Sequence, residues 1–221
     1  MEGIVIRPVE RQDAQELLAI YAPYVEKTAI SYEYEVPTLR EFEDRIVQIQ
    51  GRYPYLAAVQ DGRIVGYAYA GRFHPRAAYD WAVESTIYVR ADQKRAGIGR
   101  MLYEALEHAL LLQNILSVYA CIASPEVEDE YLTKNSEQFH AHLGYQKVAE
   151  FPKCGYKFDR WYGMVWMEKQ LGAHIPYPQK VRPFSEIKEQ WEAWLYQQQN
   201  TADMFQEKEE KQEENESKRN K

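Results

Sequence analysis

Asp61-Gly62 stands between two β-rich runs, YLAAVQ and RIVGYAYAGRF. Asp-Gly readily takes the positive φ values of a two-residue hairpin turn, so the two runs are predicted to pair antiparallel. A hairpin this apolar needs a larger sheet around it, and the sheet needs partners on its faces.

Helical periods on both sides of the hairpin supply those partners. After a short strand, IVIRPV, the run DAQELLAIYAPYV puts Leu17, Leu18, Tyr21 and Val25 on one helical face. LREFEDRIVQI repeats the period through Leu39, Phe42, Ile46 and Ile49. From Trp81, AVESTIYVR reads as a strand and passes through a polar, glycine-containing connection into a helix from about Gly97 to Leu112. ILSVYACIA is predicted as a strand, NSEQFHAHLG as a short helix ended by Gly144, and YQKVAEF and WYGMVWMEKQ as two closing strands. Strands and helices alternate in the middle and antiparallel hairpins flank them, which gives a mixed α/β sheet.

The 221 residues allow one domain with an appendage. Residues 1–178 form that domain. HIPYPQKVRPF, with its three prolines, is predicted as an extended strap, and SEIKEQWEAWLYQQQ carries Ile187, Trp191, Trp194 and Leu195 on one stripe. Strap and amphipathic helix occupy 179–200, and the helix needs an apolar partner, with its own domain as the first choice. Residues 201–221 are dominated by charge and are predicted to be a disordered tail.

A net charge of -7 gives no global reason to approach nucleic acid or an anionic membrane. Cys121 and Cys154 are the only cysteines and the histidines form no cluster at ligand spacing, so neither a disulfide framework nor a metal site is expected. Cys121, inside SVYACIA, reads as a buried inert thiol rather than a nucleophile. The N-terminus lacks the pattern of a signal peptide and no apolar run is long enough to span a membrane, so a cytoplasmic protein is expected.

The strand AVESTIYV leads through KRAGIG into a helix. A helix start presents free backbone N–H groups at the positive end of the macrodipole, a favourable place for a pyrophosphate. Gly97 and Gly99 would allow close approach, and Lys94, Arg95 and Arg100 add cations. These residues fit equally a helix start whose glycines serve packing. The Rossmann fingerprint fails because position 102 is Leu, and the Walker pattern fails for want of its Gly-Lys-Ser/Thr ending.

Lys94-Arg95-Ala96-Gly97-Ile98-Gly99 resembles the acetyl-CoA signature of the GCN5-related N-acetyltransferases, with Lys in place of the usual Arg or Gln. RYPYLAAVQDGRIVGYAYAGRF, AAYDWAVESTIYV and HAHLGY are similar to the phosphinothricin N-acetyltransferase branch of that superfamily, and the likeness runs from about Ile4 to Pro178. The resemblance implies a mostly antiparallel mixed sheet flanked by helices, acetyl-CoA as co-substrate, a small amino acid as acceptor and a homodimer. Nucleic-acid and membrane partners are not expected.

Acetyl transfer to an amine needs a neutral amine, a stabilised oxyanion and a proton for the departing thiolate. Glu84, among apolar neighbours, is placed where burial raises a carboxylate's pKa. The resemblance makes it the general base. It also assigns the backbone of Ile87, Tyr88 and Val89 to the pantetheine arm and the thioester oxygen, and His140 to proton return. The branch usually has Asn where this sequence has Thr133, and Ser136 takes its place as the contact to the cofactor arm. For the acceptor, His74, Arg76 and Tyr79 in GRFHPRAAYDW suit a carboxylate or phosphinate, and Tyr32 falls where the branch places an aromatic over the substrate. Two rival readings share these residues. One is the same fold acetylating another amine or a peptide N-terminus; the other is a CoA-binding module without catalysis.

Overall fold

The computed structural model describes residues 3–93 and 96–198. Seven strands form one sheet: β1 Ile4–Pro8, β2 Tyr55–Gln60, β3 Arg63–Arg72, β4 Ala82–Val89, β5 Ser117–Ser124, β6 Gln146–Lys157 and β7 Arg160–Gln170. Their spatial order is β1-β2-β3-β4-β5-β7-β6. β4 and β5 run parallel and every other neighbouring pair is antiparallel. The turn between β2 and β3 takes φ 51° at Asp61 and 74° at Gly62, the geometry that the Asp-Gly pair favours.

Strand alternation sorts the core into two layers. On one face α1, Ala14–Lys27, and α2, Leu39–Gln50, pack Leu17, Tyr21, Phe42 and Ile46 onto Tyr55, Ala57 and Tyr67. α2 begins with a capping box in which the Thr38 hydroxyl accepts from the Glu41 N–H and the Glu41 carboxylate accepts from the Thr38 N–H. On the other face α3, Ile98–Leu112, packs Leu102, Leu106 and Leu110 against the sheet, and α4, Asn135–His142, lies beside it. β4 contributes to both layers. Tyr88 packs with the α1/α2 layer, whereas Val83, Ile87 and Val89 pack with the α3 layer.

The strap after β7 crosses the end of α3 and leads into a helix, α5, over residues 184–198. Gln113, fully buried, fixes the strap: its Nε2 donates to Arg52 O at 2.9 Å and Arg182 O at 2.7 Å, and Arg182 N donates back to Gln113 O at 3.0 Å. Ile187 and Trp191 of α5 are fully buried in the α3 layer. Trp191 Nε1 donates to Ala105 O at 2.9 Å, and Trp194 stacks on His108 at 3.9 Å between ring centroids. The charged segment 201–221 lies outside the described residues. No helix among the described residues is long and apolar enough to cross a membrane.

Candidate active site

Two neighbouring strands part company in the middle of the sheet. β4 and β5 pair only through Ala82↔Ser117, Val83↔Val118 and Glu84↔Tyr119, after which β5 continues against β7 and β4 against β3. Past Glu84 the β5-facing edge of β4 has no strand partner. A cavity of about 200 Å³ opens in this wedge, walled by Glu84, Ile87, Tyr88, Cys121, Ser136 and His140 among others.

Glu84 is half-buried, and its carboxylate forms no hydrogen bond or ion pair with another described residue. Burial therefore acts unopposed and raises its pKa above the usual carboxylate range. That is the environment of a carboxylate able to accept a proton near neutral pH.

His140 is 3% exposed, and both its ring nitrogens are engaged. Nδ1 lies 2.7 Å from Ser136 O, which can only accept, so Nδ1 carries the proton. Nε2, 2.8 Å from the Tyr103 hydroxyl, is then an acceptor. Tyr103 in turn lies 3.1 Å from Ser85 Oγ. Burial pulls the His140 pKa down to about 4, partly opposed by the hydrogen bond to Ser136. The ring is neutral at pH 7, so a proton returned by way of His140 would be one it shares with the Tyr103 hydroxyl. Burial raises Tyr103 well above the usual phenol range, so its hydroxyl stays protonated and donates to His140.

The helix start has the geometry an anion needs. Gly97, the N-cap residue of α3, has φ 75°, a left-handed conformation that favours glycine, and no side chain among the described residues caps the first turn. Its N–H groups remain available to a pyrophosphate. Gly99 is explained differently: an added Cβ would stand 2.9 Å from the Phe139 ring, so this glycine serves packing of α3 on α4. Ile98 is 1% exposed and offers only its backbone, while Ala96 and Arg100 are exposed. Lys94 and Arg95 lie outside the described residues. Ile87, Tyr88 and Ser136 line the cavity, but Val89 lies beyond it and its carbonyl accepts from the Tyr24 hydroxyl. These residues fit the pantetheine-diphosphate shape of coenzyme A: an open edge of strand leads to an uncapped helix start.

Cys121 lines the cavity and is exposed there, which corrects the expectation of a core position. Its thiol lies 2.8 Å from Met164 Sδ; although the residue is exposed, the protein packed around the thiol and the nearby Glu84 carboxylate push its pKa up to about 12, which disfavours a thiolate near neutral pH.

The expected acceptor residues divide. Tyr32 donates to Gly163 O at 2.6 Å, and its ring fills the space where a Cβ on Gly155 would stand, 2.4 Å from Tyr32 Cε2. It anchors the segment between α1 and α2 to the β6–β7 hairpin. Lys157, missed in the sequence, holds the same segment: buried at 2% exposure, its ammonium donates to the carbonyls of Val25, Thr28 and Ser31 at 2.7, 2.9 and 2.7 Å. His74, Arg76 and Tyr79 do not line the Glu84 cavity. Phe73 stacks on Tyr119 at 4.5 Å and draws their loop over the β5–β7 side, leaving Arg76 and Tyr79 exposed.

Residues 6–166 match the model of the acetyltransferase (GNAT) domain. The chain belongs to the GNAT acetyltransferases. This acyltransferase is 33% identical over 184 residues to the phosphinothricin N-acetyltransferase of Streptomyces viridochromogenes, an alignment covering 83% of this chain and 96% of that protein. It is 32% identical over 171 residues to the L-methionine sulfoximine/L-methionine sulfone acetyltransferase of Pseudomonas aeruginosa, covering 75% and 94%. A phosphinothricin acetyltransferase from Sinorhizobium meliloti, solved in complex with AcCoA, superposes with a TM-score of 0.74 at 28% identity, covering 82% of this chain and 96% of that one.

Proposed function

We propose that this GNAT enzyme transfers acetyl from acetyl-CoA directly to the α-amino group of a small amino acid of the phosphinothricin or methionine sulfoximine/sulfone type. The observation that carries the reading is Glu84: an unpaired, half-buried carboxylate with a raised pKa, standing where β4 leaves β5 and facing a cavity. The names of the related enzymes support the choice of acceptor.

Acetyl-CoA supplies the acyl group as a thioester. In this reading Glu84 takes the proton of the acceptor ammonium, which leaves a nucleophilic amine. The backbone N–H groups on the open edge of β4, around Ile87 and Tyr88, orient the thioester carbonyl and stabilise negative charge on its oxygen. The first turn of α3 from Gly97 binds the diphosphate, with Lys94, Arg95 and Arg100 as neighbouring cations, and Ser136 stands by the cofactor arm. The hydrogen-bonded pair of Tyr103 and neutral His140 holds a proton, on Tyr103, beside the same cavity. Arg76, His74 and Tyr79 act from outside the cavity, at its approach.

The reading includes a cytoplasmic homodimer. The edge hairpin β6–β7 supports it by exposing Phe151, Tyr156 and Trp161, a surface that a second copy would cover. Light scattering that returned only monomer at micromolar concentration would remove that element.

A thiol-release assay over a panel of amino acids tests the activity. Release of CoA is expected with α-amino acids of this class. Folded protein that binds acetyl-CoA but turns over none of them would reject the reading and leave its two rivals, a different amine acceptor or a non-catalytic CoA-binding module.

A further inference from the structure

α3 carries Tyr103 and Glu107 one helical turn apart, so both side chains leave the same face of the helix. Gly144 ends α4 with φ 91°, and in the turn that follows Tyr145 N donates to His140 O at 3.0 Å. The turn lays the Tyr145 ring beside Tyr103, 5.8 Å between centroids. Ser85, from β4, completes a cluster of buried hydroxyls on the α3 side of the cavity.

The hydrogen bonds have a direction. Tyr103 gives its proton to His140 Nε2, so its oxygen accepts from Ser85 Oγ at 3.1 Å, a shorter bond than the alternative from Ser85 to Tyr119 O at 3.3 Å. The Tyr145 hydroxyl neighbours Ser85 on one side and Glu107 on the other, close enough for each to act on its acidity. Yet the Tyr145 hydroxyl and Glu107 Oε1 are buried without a well-formed hydrogen bond to another described residue. Two orphaned polar atoms that face each other mark a link that closes when a proton lies between them. The other carboxylate oxygen, Oε2, accepts from Lys169 Nζ at 2.6 Å, and Lys169 is partly exposed. A line of polar groups therefore runs from the cavity, which Ser85, Tyr103 and His140 help to wall, to the solvent beside β7.

We propose that Glu107, Tyr145, Ser85 and Tyr103 form a relay that carries a proton from the surface beside Lys169 to the CoA thiolate as it departs. The inference rests on the direct-transfer reading and deepens it. Tyr103 on its own is a poor source, because burial holds it well above the usual phenol range. His140 is neutral, and its remaining proton is held by Ser136 O. The proton that leaves Tyr103 must be replaced as it goes. In the relay the Tyr103 O–H bond breaks as an S–H bond forms; Ser85 passes its proton to Tyr103, Tyr145 to Ser85 and Glu107 to Tyr145. One proton reaches the sulfur, every hydroxyl ends with the proton count it began with, and Glu107 is left a carboxylate paired with the Lys169 ammonium. Solvent then reprotonates it. Burial raises the Glu107 pKa against the opposing pull of Lys169 from β7; Tyr145, from the turn after α4, and Glu104, on α3 itself, are the other groups acting on it. Glu107 thus holds a proton more readily than an exposed carboxylate. Glu107 and Tyr145 touch no reactant and are positioning residues.

The test measures kcat across pH at saturating acetyl-CoA, with whichever of methionine sulfone and phosphinothricin the wild type acetylates faster, in wild type, Glu107→Gln, Tyr145→Phe and Lys169→Met. Infrared spectra of the protein alone follow the Glu107 carboxyl band. In wild type kcat should decline as pH rises and Glu107 loses its proton. Glu107→Gln and Tyr145→Phe should each lower kcat by about tenfold or more, with KM for acetyl-CoA little changed. Glu107→Gln should also lose the decline. Lys169→Met keeps the relay and removes the cation that favours the carboxylate, so both the decline and the infrared titration should move to higher pH. A merely structural Glu107 would alter the melting temperature and leave the pH profile of kcat where it is. Unchanged kcat in both Glu107→Gln and Tyr145→Phe, or a lowered kcat that keeps the wild-type decline in Glu107→Gln, overturns the relay while leaving the amino-acid reading intact. Wild type that binds acetyl-CoA and turns over neither amino acid overturns the amino-acid reading; the infrared titration then decides the relay, and a Glu107 band that does not respond to Lys169→Met overturns it.

Discussion

Glu84 and His140 belong to opposite faces of the sheet and wall the same cavity. Glu84 shares the α1/α2 face with Tyr88, and His140 reaches the other face through Tyr103 and Ser85. They meet because β4 and β5 cease to pair at Glu84↔Tyr119. A sheet closed at that point would separate Glu84 from the Tyr103–His140 pair. In the proposed mechanism the open wedge lets an acceptor ammonium reach Glu84 from one face while a thioester lies along the split.

Glu84→Gln keeps the side chain's size and removes its basicity. The expected result is a fall in kcat of about 10²–10⁴-fold in folded protein that still binds acetyl-CoA. In the wild type the base must be ionised and burial raises its pKa, so kcat/KM should fall as pH drops through a value above the ordinary carboxylate range. The variant should lose that acidic limb. Near-normal turnover at neutral pH would take Glu84 out of the mechanism.

His140 gives a stability signature. Its pKa in the folded state is about 4, below the 6.5 of the free side chain, so the unfolded chain binds more protons between those values. Its contribution to stability is complete above about pH 6.5 and is lost as pH falls towards 4, by about 3 kcal/mol in all. Denaturant melts at several pH values should show His140→Gln with a flatter acid slope than wild type. An imidazole resonance titrating near pH 6.5 would contradict the buried, neutral ring.

Gly97 and Gly99 should separate binding from packing. Alanine at 97 must hold a left-handed φ, at about 1–2 kcal/mol, and it sits where the diphosphate is expected, so calorimetry should record weaker acetyl-CoA binding. Alanine at 99 presses on Phe139 and should cost about 1–3 kcal/mol of stability with a smaller effect on affinity. Equal loss of affinity in both variants would count against the division.

Trp191 ties α5 to α3. Trp191→Ala should destabilise the domain by about 3–5 kcal/mol through the cavity it leaves. Trp191→Phe keeps most of the apolar contact and loses the bond to Ala105 O, at about 1 kcal/mol. Thermal melts of the two variants that coincide with wild type would mean that α5 is not docked.

The identity of the elements follows from local rules. Asp61-Gly62 fixes a hairpin because few residue pairs tolerate two positive φ values, and the i, i+4, i+8 spacing of Leu17, Tyr21 and Val25 points to a one-sided helix. Gly97 was readable as the entrance to a helix, and Glu84 as a carboxylate in an apolar strand. Other features were not readable in this way. His74, Arg76 and Tyr79 have the right chemistry for an acceptor and do not line the Glu84 cavity; the course of their loop depends on the stacking of Phe73 on Tyr119, 46 positions away and paired with Glu84 across the sheet. Lys157 carries no signal in its own stretch of sequence, because the three carbonyls that converge on it come from around the end of α1.

The amino-acid sequence by itself set the order of strands and helices, the hairpin, the glycine-led helix start and the candidate base. Those depend on φ preferences and on periodicities of two and 3.6 residues, which act over a few neighbours. The premature end of the β4–β5 ladder, the neutral state of His140 and the packing role of Gly99 came from the assembled fold. Each depends on cross-strand register, burial or contact between residues far apart in the chain, and none of these is encoded in any single stretch of sequence.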